Sequence, residues 1–309
     1  MYTLGLAPGA QAKVAYFVDG NPFHLNGCKW VANDRLVCSV YGLTLDKNNK
    51  LKIPLPITRM LAVNTDGSKM QLLTTQLSQF SAGSLQYDAN VIDWLPDQDA
   101  TVLMTKDYVP EERPDSVFKR ASGGLEVDAV DTRTLAVKRV VAPRDDATTY
   151  ITDGHGTVRI VQLRDPKAPP FGPGAGGSQI FMYRLKGSED WHRLSTYNEA
   201  DHSGFQPLAV DHDLNIAYGW KTLNGHRALY SMTLDESPTE KLVYSRPDVD
   251  LSGLVRIGRT NRVVGGVVFK GCRQIRVFCG RYQAGGGCPA PGTAQSVAGE
   301  RRRHQCRWK

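Results

Sequence analysis

A strand-like block recurs five times between Met1 and Phe269, and nothing else in the chain narrows its fold as far. Each block opens on a polar turn and an apolar run. The runs are Arg35-Leu-Val-Cys-Ser-Val-Tyr41, Thr101-Val-Leu-Met-Thr105, Thr157-Val-Arg-Ile-Val-Gln-Leu163, Asn215-Ile-Ala-Tyr-Gly-Trp220 and Arg262-Val-Val-Gly-Gly-Val-Val-Phe269. The turns ahead of them are Asn33-Asp34, Asp97-Gln-Asp99, Asp153-Gly-His-Gly156, Asp211-His-Asp213 and Arg259-Thr-Asn261. A strand–turn–strand unit follows four of these runs. It spans Arg59–Val63 into Met70–Leu73, Leu125–Val130 into Leu135–Val137, Gln179–Leu185 into Trp191–Leu194, and Ala228–Leu234 into Lys241–Tyr244.

The runs are short, β-branched or aromatic and partly alternating, which suits strands held between layers. Asp66-Gly67 supplies the positive φ of a tight hairpin. No window carries a 3.6-residue apolar stripe, and 30 Gly and 17 Pro interrupt too often for long helices. The apolar runs begin 66, 56, 58 and 47 residues apart. Two hairpins per interval give four strands per unit, the period of β-propeller blades. The expected fold is therefore all-β and propeller-like, with about five blades and no closed ring over residues 1–269. A sandwich or barrel with coincident spacing is the alternative. The agreement in phase of both halves of the block speaks against it. Loop insertions at Tyr108–Asp115 and Lys167–Gly177 account for the longer intervals.

Composition becomes informative once it is divided at Phe269. Residues 270–309 hold nine basic side chains and one acid, a net of +8, whereas residues 1–269 carry −1. The +7 of the whole chain therefore belongs to the tail. Four of the six cysteines, Cys272, Cys279, Cys288 and Cys306, lie there too, leaving Cys28 and Cys38 in the body. Two cysteines make no disulfide framework, though they can pair if a hairpin sets them opposite each other. The tail gains Arg, Gly, Cys and Pro and loses its acids and its strand pattern. It is expected to be disordered or foreign to the repeat, the product of an out-of-frame extension. No stretch approaches the ~18 apolar residues of a membrane span. The N-terminus lacks a basic segment followed by the ~7–15 apolar residues of a signal peptide. That leaves two expectations, a cytoplasmic chain or one whose true start is lost.

Several phrases resemble bacterial prolyl-oligopeptidase-family serine peptidases, in their N-terminal propeller. They are Lys13-Val-Ala-Tyr-Phe-Val18, Gly27-Cys-Lys-Trp-Val-Ala-Asn-Asp-Arg-Leu-Val-Cys38, Met60-Leu-Ala-Val-Asn-Thr-Asp-Gly67, Val91-Ile-Asp-Trp-Leu-Pro96 and Asp153-Gly-His-Gly-Thr-Val-Arg159. The resemblance covers about residues 13–269. It implies a propeller that gates and helps bind peptides for an α/β-hydrolase domain, in cytoplasmic or periplasmic proteins. That domain carries Ser, Asp and His, with the Ser in Gly-x-Ser-x-Gly. No such motif occurs in this sequence. The resemblance thus implies a peptide or protein ligand and a hydrolase domain absent from this chain. It carries over no catalytic, metal or cofactor residue.

Each candidate site has a simpler reading beside it. The tail's Cys272, Cys279, Cys288, Cys306 and His304 lack the Cys-x-x-Cys spacing of a zinc ribbon. Arg301-Arg-Arg303 can meet phosphates, but few aromatic residues interleave it, so no nucleic-acid partner is expected. Gly172, Gly174 and Gly177 match a dinucleotide fingerprint as a string. They lie among Pro169, Pro170 and Pro173 ahead of a strand, where no helix N-terminus can hold a pyrophosphate. Glu111-Glu112 can bind an amine but read as a solvated loop. His155, His202 and His212 sit in turns beside acids, where they orient a base or fix the turn. Trp30, Trp94, Trp191 and Trp220 are expected to fill space between blades.

Overall fold

The computed structural model describes residues 1–45, 54–74, 89–109, 123–166 and 177–270, and the backbone of 272–277. Among them there is no helix. A two-stranded ribbon pairs β1 (Tyr2–Thr3) with β2 (Lys13–Val14). Four antiparallel sheets of four strands each follow, every one a meander whose neighbours in space are neighbours in sequence. The first holds β3 (Phe23–Ala32), β4 (Arg35–Leu45), β5 (Pro54–Asn64) and β6 (Gln71–Leu72). The second holds β7 (Asn90–Asp93), β8 (Thr101–Tyr108), β9 (Gly124–Asp131) and β10 (Val137–Arg144). The third holds β11 (Ala147–Thr152), β12 (Val158–Arg164), β13 (Ser178–Tyr183) and β14 (His192–Asn198). The fourth holds β15 (Gln206–Asp211), β16 (Ile216–Leu223), β17 (His226–Thr233) and β18 (Glu240–Tyr244). A last sheet has three strands, β19 (Leu251–Ile257), β20 (Arg262–Lys270) and β21 (Cys272–Val277). The fold is all-β, with a β-propeller-like series of four four-stranded blades.

The recurring apolar runs are the second strands. β4, β8, β12, β16 and β20 begin at or within one residue of the expected starts. These strands are buried on both faces. Val102 through Lys106 and Ile216 through Trp220 are continuously buried. A strand covered on both sides can be apolar at every position, so it stands out in the sequence. The second expected unit matches β5–β6, β13–β14 and β17–β18 closely. At β9–β10 it needs correction. Leu135 lies in the turn at φ 62°, and the outer strand runs from Val137 to Arg144. That strand is mostly exposed, and Lys138, Arg139 and Arg144 leave it only the short apolar stretch Val140–Pro143.

The chain divides into two compact units, Met1–Tyr150 and Ile151–Lys309, the division falling inside β11. In the first unit Val31, Val37, Met60, Ala62 and Leu73 of the first sheet pack on Trp94, Val102, Met104 and Val130 of the second. The other face of the first sheet buries Leu36, Cys38, Val40, Leu61 and Val63 beneath Ala15. In the second unit Ile160, Phe181, Tyr183 and Tyr197 meet Phe205, Val210, Ala217 and Met232. A further core joins Tyr218, Trp220 and Leu229 to Leu251, Val263 and Val268 of the last sheet.

Backbone pairing in the last sheet continues past Phe269 into the start of the basic segment. β20 continues to Lys270, and β21 pairs with it from Lys270↔Cys272 to Gly265↔Val277. Residues 272–277, Cys-Arg-Gln-Ile-Arg-Val, lie in the segment expected to be irregular from its gain of Arg, Gly, Cys and Pro and its loss of acids. Backbone pairing does not need an apolar run. The loop insertions near 110–115 and 167–176 lie outside the described residues.

Candidate functional site

An aspartate closes the first strand of three successive sheets. Asp93, Asp153 and Asp211 are each almost fully buried. One carboxylate oxygen of each caps its own turn. Asp93 Oδ1 accepts from Leu95 N. Asp153 Oδ1 accepts from His155 N at 3.0 Å and Thr157 N at 3.1 Å. Asp211 Oδ1 accepts from Asp213 N at 3.1 Å and Leu214 N at 3.0 Å. A short acceptor side chain offers these orphaned N–H groups the bonds that the ladder cannot.

The second oxygen of Asp153 and of Asp211 turns outward to a cation-capable partner from the next sheet. His212 Nδ1 donates to Asp153 Oδ2 at 2.8 Å, and Arg262 Nε donates to Asp211 Oδ2 at 3.2 Å. Arg262 Nη1 also lies 3.3 Å from Asp213. His155 completes the group, its ring centroid 4.4 Å from that of His212 and tilted by 40°. Gly154 allows this approach. It holds φ +79°, and a Cβ there would stand 2.3 Å from the Thr260 carbonyl oxygen. The loop Asp153-Gly-His-Gly156 therefore lies directly on the last sheet's turn and presents His155 to solvent. Burial, with Asp211 nearby, pushes the Tyr218 hydroxyl up to about 12, so it stays protonated.

This arrangement can orient an imidazole. A carboxylate that accepts from Nδ1–H leaves Nε2 as the basic nitrogen. The neighbours of the His212 ring here are the Asp153 carboxylate and the second imidazole. The described residues hold no group of three or more His, Cys, Asp or Glu able to hold a metal. Together His155, His212, Arg262 and Asp213 form a polar patch that offers both donors and acceptors.

His155 and His212 thus come together on Asp153, whereas His202 stands apart. His202 Nδ1 lies 2.8 Å from the Tyr197 hydroxyl, and its carbonyl accepts from Thr222 Oγ1. Trp94 and Trp220 fill cores between sheets as expected. Trp30 does not, being 46% exposed on β3. Trp191 lies under the Arg184 guanidinium, 4.1 Å from the ring centroid. Glu111, Glu112, Gly172, Gly174, Cys279, Cys288, Cys306, His304 and Arg301–Arg303 lie outside the described residues. Gly177 is described, at φ +47°, and leads into β13, a strand, as its sequence context implied.

The charged groups that the sequence reading missed sit inside apolar strands. Arg35 is 1% exposed. Its Nε donates to the Thr132 carbonyl at 2.9 Å, Nη1 to Asn64 Oδ1 at 2.7 Å, and Nη2 to Gln71 Oε1 at 2.8 Å. Arg159, equally buried, donates to the Arg184 carbonyl and to Asn215 Oδ1. On one face of the second sheet Lys106, Glu126 and Asp128 are all buried. Lys106 Nζ lies 3.8 Å from Asp128, and Arg139 Nε lies 3.0 Å from Glu126. Burial pushes the Glu126 carboxyl above its ordinary range, and the Asp128 charge adds to this. Their signal was present: a charge at a position where alternation calls for an apolar residue.

No family model matches the sequence, and no curated protein matches it.

Proposed function

We propose that this chain is the substrate-gating propeller of a prolyl-oligopeptidase-like serine peptidase, binding peptides for a hydrolase domain and catalysing nothing itself. One observation carries the reading. The phrases that resemble that family fall on hairpins of the successive meanders. Gly27–Cys38 covers the β3–β4 hairpin, Met60–Gly67 the turn after β5, Val91–Pro96 the end of β7, and Asp153–Arg159 the β11–β12 turn. The sequence holds no Gly-x-Ser-x-Gly, so the resemblance brings no family nucleophile to this chain. Treatment with a fluorophosphonate probe and fluorogenic peptides tests it. The expected result is no labelling and no hydrolysis above blank. Stoichiometric labelling of a serine in this chain would end the proposal.

A second reading is a stand-alone module that binds a peptide or protein ligand. The patch of His155, His212, Arg262 and Asp213 favours it, since a propeller-like scaffold serves many functions and the site decides which. It requires that His155→Ala with Asp213→Ala abolish ligand capture while leaving the melting temperature unchanged.

A further inference from the structure

We infer that Cys28 and Cys38 form a structural disulfide, and that the chain therefore matures in an oxidising compartment rather than in a thiol-reducing cytosol. The two residues face each other directly in the β3–β4 register, with Cα atoms 4.0 Å apart and their sulfurs bonded. That is the close kind of cross-strand pair, in which Cα atoms approach to about 4.5 Å and side chains meet. The register therefore sets the two sulfurs within bonding reach without any shift of the backbone.

The surroundings fit a staple rather than a reactive pair. Cys38 is fully buried in the core formed by Leu36, Val40, Leu61 and Val63, so it offers no nucleophile to solvent. The separation of ten residues across a strand pair is not the Cys-x-x-Cys of a redox enzyme. No third His, Cys, Asp or Glu joins them as a metal ligand among the described residues. The bond ties β3 to β4 in the first sheet, whose exposed positions include Trp30, Tyr41 and Leu43. Forming the bond needs an oxidant that accepts two electrons and two protons from the thiol pair. The disulfide-exchange machinery of an oxidising compartment supplies it.

The test has two arms on the full chain. In the first, source cells are acid-quenched and treated with a membrane-permeant alkylating reagent, and the peptides are read by mass spectrometry. The expected product is a Cys28–Cys38 linked pair that alkylates only after reduction. Alkylation of both residues without reductant would overturn the inference, as would linkage of either to Cys272, Cys279, Cys288 or Cys306. In the second arm the purified chain is melted with and without reductant. Closure of so short a loop predicts a fall of about 5–10 °C on reduction. The double variant Cys28→Ser/Cys38→Ser should melt at the reduced value and ignore the reductant. A wild-type melting temperature indifferent to reductant would refute the staple.

Discussion

Glu126 shows how one residue reports the state of its sheet. It lies beside Asp128 on β9, and its carboxyl is pushed up first by burial and then by that neighbouring charge. Arg139 and Lys106 offset only part of the shift. A carboxyl whose folded value exceeds its unfolded one binds its proton more tightly in the native state. Its stabilising contribution is complete below the unfolded value, about 4.3, and is lost as pH rises through the folded value. At neutral pH the wild type therefore holds a costly buried carboxylate that Glu126→Gln does not. The variant should melt above the wild type at about pH 7.5, the difference shrinking to nothing or reversing as pH falls toward about 4. Paired thermal scans across that range check this. A pH-independent difference would exclude Glu126 titration as its origin.

At the scale of elements, the second strands were legible because burial on both faces makes them apolar without interruption. The first strands were not. β15 contains Pro207, β7 has four residues, and β11 reads Ala-Thr-Thr-Tyr-Ile-Thr, a polar alternation that turn-like residues share. The Asp–His pairing was only half legible. Proximity of His212 to Asp211 and Asp213 in sequence suggested a turn, whereas its bonded acid is Asp153, 59 residues away. No local pattern encodes that distance; the stacking of successive sheets does. Arg35 is the clearest case of an element tied by a residue whose role only the fold reveals. Its guanidinium joins β4 to Asn64 at the end of β5, to Gln71 of β6 and to the Thr132 carbonyl after β9. Arg35→Met would strand these acceptors in the core and should cost about 3 kcal/mol or more. Arg35→Lys should recover little of it, because an ammonium cannot reproduce the planar fork. Urea denaturation of both variants measures the loss. A lysine variant as stable as the wild type would show that charge alone suffices.

At the scale of the whole molecule, charge separates what the backbone does not. Sheet pairing crosses position 269, yet the basic excess begins there: +8 beyond it against −1 before it. A nearly neutral body has no long-range attraction for a polyanion, so any such attraction belongs to the tail. Neutralising Arg301, Arg302 and Arg303 with glutamine removes three of its nine positive charges. Retention of the full chain on heparin should therefore shift to lower salt in the triple variant. If duplex DNA binds at all, the slope of log affinity against log salt should fall by up to about 3, at roughly 0.9 per lost phosphate contact. Unchanged salt dependence would show that Arg301, Arg302 and Arg303 make no contact with the polyanion.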